Sequence, residues 1–225
     1  MSFLRKVGLI AWKDLRAEFR TKEMISAMLI FALLVIAIFA FAFDPTRDEV
    51  RVIFAGLIWV AFFFAGILGL NRSFAGERIN DAIHGLMLSP VDRSAIYFGK
   101  LLGTWVFMTI VEIVALPIFI VMFNYTPAGS WLLAGTAILL ATLGFVAVGT
   151  FLAALTANTK ASEVLLPVIL FPVVIPVVIA AVEATRGVFG GLPPADFVTW
   201  FKVLGVYDAV FVAVPFLLFE YLLEV

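Results

Sequence analysis

The chain has 225 residues, 64% hydrophobic and 14% charged, with a formal net charge of −1 and a mean hydropathy of +1.16. Folding such a composition into one soluble core would leave a large apolar surface, since ordinary soluble domains are about 45–50% apolar; a lipid environment removes that conflict, and the chain reads as an all-α polytopic membrane protein. Cysteine is absent and His84 is the one histidine, which excludes a disulfide framework, a thiolate site and a metal or haem site built from histidines.

Residues 1–23 do not resemble a signal peptide, because the apolar run from Val7 to Trp12 is short and charges follow it at once. At 100° per residue, Arg5, Lys6, Lys13, Arg16 and Arg20 share one helix face. Phe3, Leu4, Val7, Ile10, Ala11, Trp12, Leu15 and Phe19 share the other. That pattern predicts a basic amphipathic helix lying in the membrane interface. Asp14 and Glu18 intrude on the apolar side, so part of that face should meet protein; a plain surface anchor is the equal alternative. The rest, 24–225, reads as a single six-helix transmembrane domain. Its first span is 24–43, stopped by Asp44-Pro45, and its second is 52–70. Ala61, Ala65 and Gly69 recur every fourth residue with Gly66 beside them. Small residues so spaced let helix backbones approach closely. The bland alternative is that glycine and alanine are simply common in spans.

From Asn71 to Lys100 the chain is too polar for lipid and too long for a tight turn. Ile79, Ile83, Leu86 and Met87 recur at helical spacing, rimmed by Glu77, Arg78 and Asp81, which predicts a short cytoplasmic amphipathic helix suited to a partner's groove. A solvated connector is the alternative. Ser89 then reads as an N-cap, Pro90 as the first helical position and Asp92 as a first-turn acid, opening a helix that runs into the third span, 101–123. Arg93, Tyr97, Lys100 and Trp105 mark its passage through the interface. The chain has no G-x-x-x-x-G-K-[ST] loop, so energy from ATP would have to enter through a partner.

The fourth span, 131–157, follows a turn over 124–130. The fifth, 163–182, carries Pro167, Pro172 and Pro176, whose freed carbonyls need partners from neighbouring helices or water. Residues 183–202 are rich in Gly and Pro and then offer Asp196 as a cap for a short outer interfacial helix bearing Phe197, Trp200 and Phe201. The sixth span is 203–223. Glu112 sits at the centre of the third span, where a charge costs ~2.5–3.5 kcal/mol, so it should face protein or water. It reads either as a substrate-path or helix-coupling residue, or as a buried acceptor for a threonine. Asp208 and Glu183 are placed near the outer ends of spans, where carboxylates cost little. Tyr125, Tyr207 and Met122 have iron-ligating atoms, but packing is the simpler reading. Eleven lysines and arginines in 1–23, 71–100 and 158–162 against four on the other side put both termini in the cytoplasm.

The run GLIWVAFFFAGILGLNRSFAGE (Gly56 to Glu77) and the run HGLMLSPVDRSAIYFGK (His84 to Lys100) closely resemble the CcmB family, the membrane subunit of the ABC-type haem exporter of cytochrome c maturation. The likeness continues through EIVALP (Glu112 to Pro117) and Phe123-Asn124. The resemblance implies a six-span ABC-2 permease of the bacterial inner membrane that dimerises. It implies a CcmA-like ATPase subunit bound to the loop between spans two and three, CcmC- and CcmD-like membrane partners, and a CcmE-like periplasmic haem chaperone. Haem would be a transported or partner-bound ligand, and the resemblance carries no haem ligand, metal site or catalytic residue onto this chain. The coupling role falls on Glu77, Arg78, Ile79, Asp81, Ile83, Leu86, Met87, Ser89 and Pro90. The function so implied is export of haem or release of the loaded chaperone. Competing readings are a membrane scaffold that passes no substrate, an ABC-2 exporter of a lipid or glycan, and an intramembrane enzyme, which no Ser/His/Asp set or H-E-x-x-H motif supports.

Overall fold

A computed structural model describes residues 2–43, 48–79, 93–156 and 162–222. These form seven helices: α1 (Phe3–Thr21), α2 (Glu23–Ala42), α3 (Asp48–Ile79), α4 (Arg93–Met122), α5 (Trp131–Thr156), α6 (Ser162–Phe189) and α7 (Pro194–Leu222). Six of them, α2 to α7, are long and apolar enough to cross a membrane, in the order expected.

The bundle is built around α5, which packs against α3, α4, α6 and α7. Its sequence explains that position: it has no charged residue, and Gly144, Gly149, Ala137, Ala141 and Ala147 are buried along it. Without a hydrophobic force between helices in lipid, small side chains that allow close contact decide which helix becomes central. The small residues of α3 do the same. Ala61 and Ala65 are fully buried, a Cβ on Gly66 would overlap the Phe145 ring of α5, and one on Gly69 would lie 2.7 Å from Met28 Sδ of α2.

Three differences from the sequence expectations stand out. The second span does not stop at Leu70: α3 continues as one helix through Asn71, Arg72 and Ser73 to Ile79. These polar residues stay helical because tertiary partners meet them. Arg72 donates to the Glu23 carbonyl at 3.2 Å, and the Ser73 hydroxyl lies 3.3 Å from that of Thr104. The fifth span extends past Val182 to Phe189, with Glu183 and Arg186 paired one turn apart. The short outer helix expected after Asp196 is the first part of α7 itself, continuous with the last span.

The prolines of α6 and α7 leave both helices unbroken. Pro215 cannot donate to the carbonyl four residues back, that of Phe211. The Tyr97 hydroxyl of α4 reaches that carbonyl at 3.4 Å and donates to the Ala147 carbonyl at 3.0 Å. The Tyr207 hydroxyl donates to the Val173 carbonyl of α6 at 2.9 Å. The buried Tyr97 phenol thus sits where Pro215 removes a donor.

At the end opposite α1, the 124–130 turn is clamped onto the close of α6. The Ala128 amide donates to the Phe189 carbonyl at 2.9 Å, and Gly129 lies so near the Val188 carbonyl that no Cβ fits. Tyr125 stacks on Phe54 at 4.0 Å between ring centroids. Burial pushes the Tyr125 phenol above its ordinary range, opposed by the charge of Arg51.

Candidate functional site

Most of the helix predicted to meet a partner, from Asp81 through Ile83, Leu86 and Met87 to Ser89 and Pro90, lies outside the described residues, as does His84. Glu77, Arg78 and Ile79 form the last turn of α3. What the structure describes is the ground on either side: the end of α3, the start of α4, and α1 packed against α4.

There the polar groups converge. Lys100, near the start of α4, is only 3% exposed. Its ammonium sits 3.0 Å from Asp14 Oδ2 of α1 and donates to the Ser73 carbonyl of α3 at 3.1 Å. One buried cation therefore ties three helices. The paired geometry matters because an ammonium in a low-dielectric setting is costly unless a counter-charge and acceptors surround it. Close by, Glu18 Oε1 accepts from the Ile25 amide at 2.8 Å and so caps α2, and Lys22 makes the α1–α2 corner with φ +56°. Asp14 and Glu18, the two acids on the apolar side of α1, thus do meet protein.

The line of contact from α1 to α4 is oblique. Phe3 meets Phe98 edge-on at 6.0 Å, Ile10 presses on Gly99, and Asp14 reaches Lys100 and Gly103. Phe3 to Asp14 covers about 16 Å of α1, yet these contacts fall on about 7.5 Å of α4. So α1 crosses the end of the bundle at a steep angle instead of continuing it.

A second polar feature lies at mid-depth, on both sides of α5. Glu112 of α4 is 2% exposed, and its Oε1 accepts from the Thr142 hydroxyl at 2.5 Å. Its Oε2 finds no hydrogen-bond partner among the described residues. Asp208 of α7 lies against Gly144, one turn-half further along α5, with Oδ1 2.5 Å from where a Cβ on that glycine would sit. Asp208 is also buried, and neither of its oxygens has a partner among the described residues. The expectation that Asp208 sits at an outer helix end is corrected here. Because α7 begins at Pro194, and not near Val203, Asp208 falls near the midpoint of the helix, level with the centre of α5. Glu183, by contrast, does lie near a helix end, paired with Arg186.

Tyr125, Tyr207 and Met122 do not assemble into a ligand set: the first stacks on Phe54, the second donates to Val173, and Met122 is exposed at the end of α4. No group of three or more metal-ligating side chains occurs among the described residues. Sequence reasoning flagged Asp14 and Glu112 but read Lys100 only as an interface marker. The available signal was two misfits of opposite sign, an acid on the apolar face of α1 and a lysine at the head of an apolar run.

Six spans crossed at one end by an amphipathic helix, with a buried ion pair where that helix meets the third span, define a multi-pass helical membrane protein. The CcmB protein family matches residues 5–221, and the chain belongs to that family. Among its relatives, heme exporter protein B of Rhodobacter capsulatus is 29% identical over 204 residues, 91% of this chain and 92% of the relative. Heme exporter protein B of Pseudomonas aeruginosa is 28% identical over 197 residues, 88% of each chain. That of Escherichia coli (strain K12) is 30% identical over 187 residues, 80% of this chain and 81% of the relative.

Proposed function

We propose that this chain is the permease subunit of an ATP-driven membrane complex of cytochrome c maturation, exporting haem or driving release of a haem-loaded chaperone. Membership of the CcmB family over residues 5–221 supports the class, and the name borne by its relatives, heme exporter protein B, supports haem as the cargo. Haem is cargo here and needs no resident ligand set.

The observation that carries the mechanism is the three-way contact of Lys100. The chain between Ile79 and Arg93 offers the apolar positions Ile83, Leu86 and Met87 to an ATPase subunit, with Glu77, Arg78, Asp81, Ser89 and Pro90 at its rim and ends. Both ends of that segment leave from helices held together by Lys100, Ser73 and Asp14. Displacement of the segment by a hydrolysing partner therefore moves α3 and α4 together, and carries α1 with them. Glu112 joins α4 to the central helix through Thr142, beside the bonds from Tyr97 to the Ala147 carbonyl and from Trp105 to the Leu139 carbonyl, which fits a helix-coupling role: motion of α4 is passed to α5 through these polar contacts. On this reading the ATPase is CcmA-like, the complex contains CcmC- and CcmD-like membrane proteins and a CcmE-like chaperone, and the segment faces the cytoplasm.

The test is isolation of the intact complex from membranes with tagged wild-type chain and with Leu86→Asp. The wild type should bring down a small ATPase and haem-handling proteins, and Leu86→Asp should lose the ATPase by tenfold or more while its own thermal midpoint stays unchanged. Equal recovery of the ATPase with Leu86→Asp would remove the proposed docking site.

A further inference from the structure

The side of α1 turned away from the bundle is built in two stripes. Val7, Ile10 and Ala11 are buried against α4, and Asp14 and Glu18 are engaged by Lys100 and the Ile25 amide. Rotating away from that face at 100° per residue, the next arc holds Leu4, Phe19 and Trp12, exposed by 79%, 57% and 63%. The arc after it holds Arg5, Arg16 and Arg20, all exposed, within about 60° of one another, with the half-exposed Leu9 among them. Both acids of α1 are on the opposite side, so neither competes for these guanidinium groups.

We propose that this outer face of α1 binds anionic phospholipid headgroups. The geometry selects that occupant. The helix crosses the end of a bundle of spans, which lays it along the plane of the bilayer surface, and its exposed apolar arc adjoins the arginine arc as acyl chains adjoin phosphates. Leu4, Phe19 and Trp12 insert at the acyl boundary. Arginine, with its planar fork of donors, pairs bidentately with phosphate oxygens, and three in one arc confer selectivity for a net-negative headgroup over a zwitterionic one. The far side of the same helix holds Lys100 through Asp14. The proposal needs no cargo and no ATPase, so it stands or falls separately from the transport reading.

The experiment places the purified full chain in nanodiscs of phosphatidylcholine with one third phosphatidylglycerol and counts retained lipids by native mass spectrometry. The wild type should keep phosphatidylglycerol over phosphatidylcholine by about tenfold relative to the disc. That preference should fall to near parity in about 1 M salt, where the Debye length is ~3 Å. The triple variant Arg5→Gln, Arg16→Gln, Arg20→Gln should lose most of it, and the matching triple lysine variant should keep a preference. The salt arm uses unaltered protein and so reads the proposal even if the glutamine variant folds poorly. Parity in the wild type, or an undiminished preference in the glutamine variant, overturns it. So does a glutamine variant that keeps its lipids but loses a co-purifying protein, which assigns the face to a protein partner.

Discussion

Single side chains in this bundle act by filling the space or the valence that a neighbour leaves. Gly66 and Gly56 lie on the same helix but differ in what faces them. A Cβ on Gly66 meets the buried Phe145 ring and Met108, whereas one on Gly56 meets nothing within 4 Å. Gly66→Ala is therefore expected to destabilise by about 1–3 kcal/mol through overpacking. Gly56→Ala should be neutral or slightly stabilising, since it removes backbone freedom without a clash. Thermal unfolding in detergent, monitored by circular dichroism, separates the two; equal effects would contradict the packing described. The Glu112–Thr142 bond gives a second contrast. Glu112→Gln keeps an acceptor for the Thr142 hydroxyl, so function should persist, while Glu112→Leu leaves that hydroxyl unpaired at a cost of about 1–3 kcal/mol. Loss of maturation activity in a stable Glu112→Gln would show that the charge itself is used.

At the scale of helices, the question is what holds α1, α3 and α4 as a unit. Lys100→Met leaves the partly exposed Asp14 carboxylate with Lys13, 3.2 Å away, and should cost less than about 3 kcal/mol. Asp14→Leu removes the counter-charge of the buried Lys100 ammonium, which keeps the Ser73 carbonyl, and should cost about 3 kcal/mol, as removing one partner of a buried pair does. The double variant should cost less than the sum, and a coupling energy above about 1.5 kcal/mol in the double-mutant cycle would establish the tie. Additivity would dissolve it. The elements themselves were largely legible in the sequence: six apolar runs gave six spans, and the acids on the wrong face of α1 foretold a protein contact. Two ends were not. Hydropathy stops α3 at Leu70 because Asn71, Arg72 and Ser73 read as water-seeking, yet Glu23, Thr104 and Lys100 satisfy Arg72 and Ser73 within the fold. It starts the last span near Val203 because Asp196 and Lys202 interrupt the run, which placed Asp208 near the start of the helix and not at its midpoint. Helix length follows from tertiary partners as much as from lipid preference, and partners cannot be read from one segment at a time.

For the whole molecule, we propose from the charge asymmetry of the sequence that the 124–130 turn lies outside and the α1 end inside. The cysteine-free sequence makes a single introduced thiol unique. Ser130 is exposed and suits a label, whereas Gly129 does not, because its close approach to Val188 leaves no room for a side chain. Ser130→Cys should react with a membrane-impermeant maleimide in intact spheroplasts, and reaction only after lysis would invert the topology. The claim on which the account rests is that mechanical work enters through the segment between α3 and α4. The most direct test uses photo-crosslinking residues placed singly at Ile83, Leu86 and Met87 in the assembled membrane complex. The account predicts adducts with one ATP-hydrolysing subunit at all three, with yields that change on nucleotide binding. Adducts confined to lipid or to other membrane subunits, in a complex that still contains its ATPase, would contradict it.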